Sequence, residues 1–486
     1  MEMEHTLVIG KYTLESLTNG MYASPLDMYR EYIQNAVDSF DAAIEKKLVH
    51  ADKLKISISI DTEHNRVCIK DNGVGIANKD AVAALLDIGN SQKSRSNYRG
   101  FRGIGRLAGL GYCNKLVFRT SYEGESICTI IEFDAKLLNK LLITGNSDSV
   151  SINDVIEKIV TVKKVQEAAS KRYFEVVLEE VSSEEGLTEG SAVREYLIQH
   201  APLSFDPRFK WQRTILEKVG LAGYRIPQYH LYLNDEELYK PYMDSFSSDR
   251  VKKNEDSVQD IKVETFMRNG KVSAILWYAQ SNYYGTITDN TIKGIRIRQG
   301  NILLGDKSSF NQFFKEERFN GWMLGELHVI DKELIANSRR DGFEKNVAFY
   351  ELSNLIKEWA LVESKEIRHV SYERSLSTEK KAIVEAEAID DVNDLYSESL
   401  EYNASYTEST GLEQSESEEI AESDFIGKLS LFLNLKKVQT KYTAININEK
   451  LTMEQRKVLE RVFDIICQNY SKKTAEKFIN IIASKF

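Results

Sequence analysis

The stretch EYIQNAVDSFDAA, Glu31–Ala43, decides how the first part of this chain is interpreted. Apolar residues in this stretch and just after it recur at steps of four, three and four: Ile33, Val37, Phe40 and Ile44. That spacing predicts a helix with one buried face. Glu31, Asn35 and Asp38 follow at i, i+4 and i+7, so they share a second stripe. Taken alone, such a stripe is an ordinary solvated helix face, and a site needs partners elsewhere in the chain.

A second candidate is DNGVGIA, Asp71–Ala77, where a predicted strand ends in an acid followed by Gly73 and Gly75. Glycine lets the backbone approach a ligand closely, because it has no side chain. The carboxylate at the strand end can accept a hydrogen bond from an exocyclic amine. The same pattern is common in plain turns, so it is weak evidence by itself.

The third candidate is SRSNYRGFRGIGRLAGLG, Ser94–Gly111, in which Gly100, Gly103 and Gly105 open a predicted helix. A glycine-rich turn at a helix N-terminus presents N–H groups to phosphate oxygens. Basic residues surround it: Lys93, Arg95, Arg99, Arg102 and Arg106. The alternative is a cluster of packing glycines. The spacing does not fit a Rossmann loop, and no G-K-[ST] follows as a P-loop requires.

Composition describes a globular protein of 486 residues, with 42% hydrophobic and 28% charged residues. The net charge of −10 is concentrated in residues 383–425, which contain 14 acids and no Lys or Arg, so the remainder is slightly basic. The four cysteines form no C-x-x-C pair, which favours a reducing cytoplasm. With no apolar run of membrane length and no signal peptide, we expect a cytoplasmic protein without membrane contact.

The chain divides into an α+β first domain, residues 1–205, and an α+β second domain, residues 206–365. The first contains two predicted β-hairpins, KLKISISIDTEHNRVCIKDNG and KLVFRTSYEGESICTIIEFD, and the strand YFEVVLEEV. Helices on one face of a mixed sheet are expected. A helical extension (366–382), an acidic flexible linker (383–425) and a helical C-terminal module (426–486) follow. The module's amphipathic helices would pack on a second copy or on their own chain.

The order of the three motifs resembles the GHKL ATPase superfamily, which includes gyrase B, the ninety-kilodalton heat-shock chaperones, histidine kinases, and MutL and MORC proteins. EYIQNAVDSFDAA looks like the family's E-x-x-x-N-x-x-D helix, DNGVGI matches D-x-G-x-G, and GFRGIG matches the third glycine motif. IGNSQKS, residues 88–94, resembles the segment leading into the ATP lid. The resemblance implies a Bergerat-type α/β sandwich followed by a transducer-like domain.

The resemblance implies roles for these residues around ATP and Mg²⁺. Glu31 would be the general base and Asn35 the magnesium ligand, supported by Asp38. Asp71 would bind the adenine amino group above Gly73 and Gly75. The remaining nucleotide-binding set comes from the lid and the glycine loop: Asn90, Lys93, Gly100, Phe101, Arg102, Gly103, Ile104 and Gly105.

The second domain offers a cation for the γ-phosphate. GELHVIDKELIANSRRDGFEKN resembles the chaperone segment in which an Arg after a Ser reaches that phosphate, so Arg339 or Arg340 would fill this role. The alternative is a surface pair bridging to Asp341 or Glu344. Lys293 is a further candidate by similarity to MutL-type proteins. Gly190-Ser191 either lines the adenine pocket or simply starts a helix.

We therefore expect an Mg²⁺-dependent ATPase, a homodimer that works as an ATP-gated clamp. Two classes of substrate remain open. One is chaperone-like remodelling of proteins; the other is action on nucleic acid in the manner of MORC or MutL, with prokaryotic antiviral defence as a possible setting. The absence of a phosphoacceptor histidine helix disfavours a kinase, and Glu31 disfavours a pseudo-ATPase.

Overall fold

The computed structural model describes residues 24–87, 105–143, 152–182, 186–248 and 254–375. All of them belong to one compact unit that ends at Ser375. The predicted acidic linker, the C-terminal module and residues 88–104 of the lid lie outside the described residues. Among the helices that are described, none is long and apolar enough to cross a membrane.

An eight-stranded mixed sheet carries the first domain. Its strands are β1 (Lys55–Asp61), β2 (Arg66–Asp71), β3 (Cys113–Ser121), β4 (Ile127–Asp134), β5 (Val160–Gln166), β6 (Tyr173–Val181), β7 (His230–Leu233) and β8 (Glu236–Glu237). They are ordered β5-β4-β3-β6-β2-β1-β7-β8. Both predicted hairpins form, as β1·β2 and β3·β4, and YFEVVLEEV is β6. The predicted α/β sandwich fold is confirmed for this part of the chain.

In the described ranges, five α-helices accompany this sheet: α1 (Asp27–Glu45), α2 (Asn78–Leu86), α3 (Ala135–Ile143), α4 (Ile152–Ile159) and α5 (Gly190–His200). The same ranges include two 3-10 helices, Ala51–Lys53 and Gly105–Gly111. The opening stretch lies in α1, with Ile33, Val37 and Phe40 buried against the sheet. Ile44 was expected on that face but is 39% exposed, because it lies in the last turn of α1, just before the helix ends at Glu45.

Strand β7 joins the first sheet, although the sequence placed its residues in the second domain. It pairs in parallel with β1, and Leu231 lies opposite Ile56. Leu231 and Leu233 are buried in the core of the first domain. After residue 205 the chain therefore enters the second domain, and it then returns to the first sheet to form β7 and β8. A simple boundary at residue 205 does not describe this path.

The second sheet contains β11 (Asp260–Arg268), β12 (Lys271–Gln280), β13 (Gly294–Gln299), β14 (Ile302–Leu303) and β15 (Leu324–Val329), after a small β9 (Ser245–Ser248) and β10 (Asn254–Ser257) pair. Its order is β11-β12-β15-β13-β14. Two helices cover it, α6 (Gln212–Leu221) and the long α7 (Val347–Ser375), and two 3-10 helices, Asn311–Phe313 and Glu317–Trp322, precede β15. Helix α7 includes the described part of the predicted extension from residue 366.

The second domain has a helix on each face of its sheet. Alternate residues of β12 point to opposite faces. Leu276 packs in a cluster with Leu352 and Ile356 of α7, whereas Trp277 packs in a cluster with Ile215 of α6. The domain is therefore a three-layer α/β/α arrangement.

Candidate functional site

The polar stripe of α1 is buried, which a solvated helix face would not be. Glu31 is 7% exposed and Asp38 is 3% exposed, while Asn35 is half-buried. Burying a carboxylate is costly unless it is paired or hydrogen-bonded. Within the described residues the Asn35 side chain makes no hydrogen bond, so its amide oxygen remains available to a ligand.

Asp71 lies at the end of β2 and is 4% exposed. Its Oδ1 accepts the backbone N–H of Gly73 at 2.8 Å. A Cβ at Gly73 would lie 2.2 Å from Ser39 Oγ, and one at Gly75 would lie 2.1 Å from the Ser121 carbonyl oxygen. Gly75 also has a φ of +69°. Both glycines are therefore required by close packing of this loop on α1 and β3.

Gly105 is the only member of the predicted phosphate loop among the described residues. A Cβ there would lie 2.2 Å from Glu31 Oε2, so the loop backbone runs directly beside the candidate base. The helix that follows is a 3-10 helix, Gly105–Gly111. The rest of the predicted set, and the two lid residues, lie outside the described part of the chain: Asn90, Lys93, Gly100, Phe101, Arg102, Gly103 and Ile104.

Tyr32 of α1 fixes the 3-10 helix in place. Its hydroxyl accepts the N–H of Gly109 at 2.9 Å and donates to the Arg106 carbonyl at 3.2 Å. Burial raises the pKa of Tyr32, so the phenol stays protonated and able to donate. The Arg106 side chain in turn donates to the carbonyls of Ala84 and Asp87, at the end of α2.

A loop of the second domain reaches the same end of α1. Arg340 Nε donates to Glu31 Oε1 at 2.8 Å, and the Arg339 carbonyl accepts from Arg30 Nη2 at 3.3 Å. Arg340 has a φ of +57°, which a non-glycine residue rarely adopts. The structure thus brings Arg340 to Glu31, a partner that the sequence did not suggest, whereas the Arg339 side chain is exposed.

The other second-domain candidates lie elsewhere. The alkyl chain of Lys293 runs within its own domain, its Cδ 3.8 Å from the Cβ position of Gly321. Asp341 accepts a hydrogen bond from Asn337 within the arginine loop. Gly190 and Ser191 form the first turn of α5, and a Cβ at Gly190 would meet nothing within 4 Å.

A buried charged cluster connects the two domains away from the site. Glu326 accepts from Lys240 Nζ at 2.6 Å and from Arg298, and all three side chains are buried. Burial acts to raise the pKa of Glu326, but Arg298 and Lys240 outweigh it and hold that pKa well below its usual range. Arg298 Nη2 also donates to the Gln199 carbonyl of α5 at 2.9 Å. This cluster joins α5 to the second sheet.

The residues present fit a nucleotide with a magnesium ion. No group of three or more His, Cys, Asp or Glu side chains in the described ranges is arranged to hold a metal. A single amide oxygen can nevertheless contribute to Mg²⁺ when phosphates and waters complete the shell. Asn35 would supply that oxygen one turn from Glu31, and Gly105 would leave room beside it because it has no side chain.

Comparison with known proteins identifies the class. Residues 29–165 match the family described as histidine kinase-, DNA gyrase B-, and HSP90-like ATPase. The match contains Glu31, Asn35, Asp71 and the glycine loop. This part of the chain resembles an ATPase domain of GHKL type, and the resemblance inferred from the motifs is confirmed. Members of this family hydrolyse ATP, the enzyme class that the sequence predicted.

Individual relatives match less than a quarter of the chain. The chain is 26% identical over 129 residues to the chaperone protein HtpG of Acinetobacter baylyi, covering 23% of this chain and 20% of that protein. HtpG of Photorhabdus laumondii is 26% identical over 135 residues, covering 24% and 21%. A putative type II restriction enzyme, HgiDII of Herpetosiphon aurantiacus, is 31% identical over 109 residues, covering 21% and 16%. The chain thus spans about a fifth of the length of these relatives.

Three residues in contact with the site were missed by the sequence interpretation. Ser39 and Thr120 bind the loop after Asp71, and Arg30 binds the arginine loop. Ser39 directly follows Asp38 in the opening stretch, so its position next to the motif could have marked it as a residue near the site. Thr120 lies within an ordinary β-hairpin, where nothing in the sequence marks it.

Proposed function

We propose that this protein is a magnesium-dependent ATPase whose second domain takes part in the nucleotide cycle. The observation that carries the proposal is the Arg340–Glu31 contact, in which a cation of one domain binds the candidate base of the other. Both side chains are largely buried, 15% and 9% exposed, so the pair is shielded from solvent. A surface ion pair of no consequence would be more exposed.

The two oxygens of Glu31 have different surroundings. Oε1 is held by Arg340, while Oε2 faces the backbone of Gly105. In this arrangement Oε2 is the oxygen that would take the proton from an attacking water. Arg340 fixes the direction of the carboxylate, and in this proposal it exchanges Glu31 for a phosphate oxygen when nucleotide binds. Bound magnesium would neutralise phosphate charge at Asn35.

ATP turnover by a Glu31→Ala variant tests whether Glu31 is the general base. A positioned general base contributes about 10²–10⁴-fold to rate, so we expect ATP turnover to fall by at least about 100-fold with nucleotide binding retained. Glu63→Ala, which removes an exposed carboxylate in the β1–β2 turn, is the matched control. Turnover by Glu31→Ala equal to that of the wild-type protein would remove Glu31 from the mechanism.

We further propose that nucleotide drives a clamp-like motion of a cytoplasmic homodimer. Completing a catalytic site by domain closure is a known mode of such cycles, and Arg340 is placed to contribute to it. Sizing and small-angle scattering in ADP and in a non-hydrolysable ATP analogue test this. Identical mass and shape in the two states would contradict the clamp.

The substrate of the cycle is proposed to be a protein. Support comes from two relatives named chaperone proteins and from the arginine loop that resembles the chaperone segment. The relative named a putative restriction enzyme supports the alternative, action on nucleic acid, for which antiviral defence would be one setting. Stimulation of ATP turnover by an unfolded protein would support a protein substrate. Stimulation by DNA, with a steep salt dependence, would support action on nucleic acid.

A further inference from the structure

The loop that follows Asp71 is held by oxygens from three different elements. The N–H of Gly73 is bound by Asp71 of β2, that of Val74 by Ser39 Oγ at 2.9 Å, and that of Ile76 by Thr120 Oγ1 at 2.7 Å. Such local contacts fix the loop relative to both α1 and β3. The position of Asp71's neighbours is therefore set by side chains outside the D-x-G-x-G motif.

Ser39 and Thr120 differ in what their hydroxyl protons can do. Thr120 is 1% exposed, and its hydroxyl lies within donating distance of two carbonyls, Ile76 at 3.4 Å and Tyr173 at 3.3 Å. Ser39 is half-buried and accepts from Val74, but within the described ranges its hydroxyl donates to nothing. A hydroxyl carries one donor. The hydroxyl donor of Thr120 is already used by these carbonyls. The hydroxyl donor of Ser39 remains for a ligand.

The free donor of Ser39 lies beside the Asp71 carboxylate. Ser39 Oγ and Asp71 Oδ1 lie 2.2 and 2.9 Å from the same point, the position that a Cβ on Gly73 would take. A hydrogen-bond acceptor and a hydrogen-bond donor therefore both lie beside the backbone of Gly73. Adenine presents the complementary pair, a 6-amino donor next to the N1 acceptor, whereas guanine presents O6 and N1–H in the reverse sense.

We propose that Ser39 is a specificity-determining residue that, together with Asp71, selects a 6-aminopurine over a 6-oxopurine. This inference rests on the proposed ATP-binding function and deepens it. Asp71 accepts from the amino group while the Ser39 hydroxyl donates to the adjacent ring nitrogen. Guanine would face both groups with the wrong polarity, which leaves buried polar atoms unpaired and is the strong form of discrimination. Thr120 acts as a positioning residue only.

Binding of ATP and GTP to four proteins tests the proposal. For Ser39→Ala we expect ATP to bind about 3- to 10-fold more weakly and GTP little changed, since one hydrogen bond of ordinary strength is lost for adenine alone. The ATP-to-GTP preference then falls by the same factor. Thr120→Val should weaken both nucleotides equally. Ser59→Ala, at an exposed position of β1, is the matched control and should match the wild type.

Steady-state turnover gives a second readout. Ser39→Ala should raise KM for ATP and leave kcat unchanged, because Glu31 and Arg340 are not touched by the substitution. An unchanged ATP-to-GTP preference in Ser39→Ala overturns the inference, whether or not both affinities fall together. If the wild-type protein binds ATP and Ser39→Ala keeps the same ATP-to-GTP preference, only the inference about Ser39 is refuted. A wild-type protein that binds neither nucleotide refutes the proposed function and the inference with it.

Discussion

Three titratable side chains, the half-buried His200 and the buried His328 and Glu363, have pKa values shifted towards their neutral forms. Burial lowers the pKa of His200 to about 3 and that of His328 to about 4, and it raises the pKa of Glu363 to about 7. A group that resists charging only in the folded state makes stability depend on pH. The two histidines and the glutamate change stability in opposite directions as the pH is lowered.

The sign of each effect follows from proton uptake. Between pH 6.5 and about 4 the unfolded chain protonates the two histidines and the folded protein does not, so stability falls as the pH is lowered. Between pH 7 and 4.5 the folded protein protonates Glu363 and the unfolded chain does not, so stability rises as the pH is lowered. Each group contributes about 1.4 kcal/mol per pH unit within its window.

Replacing Glu363 with Gln removes the gain in stability at lower pH that opposes the loss caused by the two histidines. We therefore expect the free energy of unfolding of Glu363→Gln to fall between pH 6.5 and 5 more steeply than that of the wild type, by about 1.4 kcal/mol per pH unit. Urea unfolding at a series of pH values measures it, and Glu63→Gln, an exposed carboxylate, is the control. Parallel pH profiles for the variant and the wild type would show that Glu363 is ionised in the fold.

At the scale of elements, α1 organises the described part of the candidate site through contacts with three other segments. Its Tyr32 hydroxyl holds the 3-10 helix that begins at Gly105, its Ser39 holds the loop after β2, and its Arg30 holds the arginine loop. The helix is buried on most of its circumference. A helix in this position couples loops that are far apart in the sequence.

Removing the Tyr32 hydroxyl tests this coupling. Tyr32→Phe leaves the buried N–H of Gly109 without its partner, so we expect the free energy of unfolding to fall by about 1–3 kcal/mol. Because Gly105 lies beside Glu31, we also expect a lower kcat for ATP. Tyr350→Phe, on the exposed face of α7, is the matched control. Stability and kcat both equal to the wild type would show that the 3-10 helix is held by other contacts.

At the scale of the whole molecule, the two domains are interleaved along the chain. Helix α6 packs on the second sheet, and the chain then returns to add β7 and β8 to the first. The Glu326 cluster and the Arg340 loop make further connections. Within the described part of the chain, packed elements therefore join the second domain to the first sheet at several places.

Leu231 of β7 tests how strongly the nucleotide domain depends on this later segment. It is 1% exposed, whereas Leu221 at the end of α6 is 89% exposed. We expect Leu231→Ala to lower the free energy of unfolding by about 2–5 kcal/mol, because it leaves a cavity in the first core. Leu221→Ala should change it by less than about 0.5 kcal/mol. Urea unfolding compares the two, and equal stabilities would place β7 outside the cooperative unit.

The sequence by itself predicted the main elements of the first domain and the class of protein to which the site belongs. The period of apolar residues predicted α1, and alternation with turn residues predicted both hairpins and β6, because such patterns reflect local burial. The order of Glu31, Asn35, Asp71 and the glycine loop predicted the ATPase class, because it resembles the motif order of the GHKL family. The site roles themselves remain predictions for the experiments above.

Only the tertiary structure decided which distant groups meet. Nothing local shows that β7 pairs with β1, that Arg340 binds Glu31 across 309 positions, or that Thr120 holds Ile76. Those contacts depend on how sheets and helices pack, and packing depends on many residues at once rather than on one pattern. For the same reason Ser39, a plain serine in a helix, became a candidate for base selection only when the loop was placed against it.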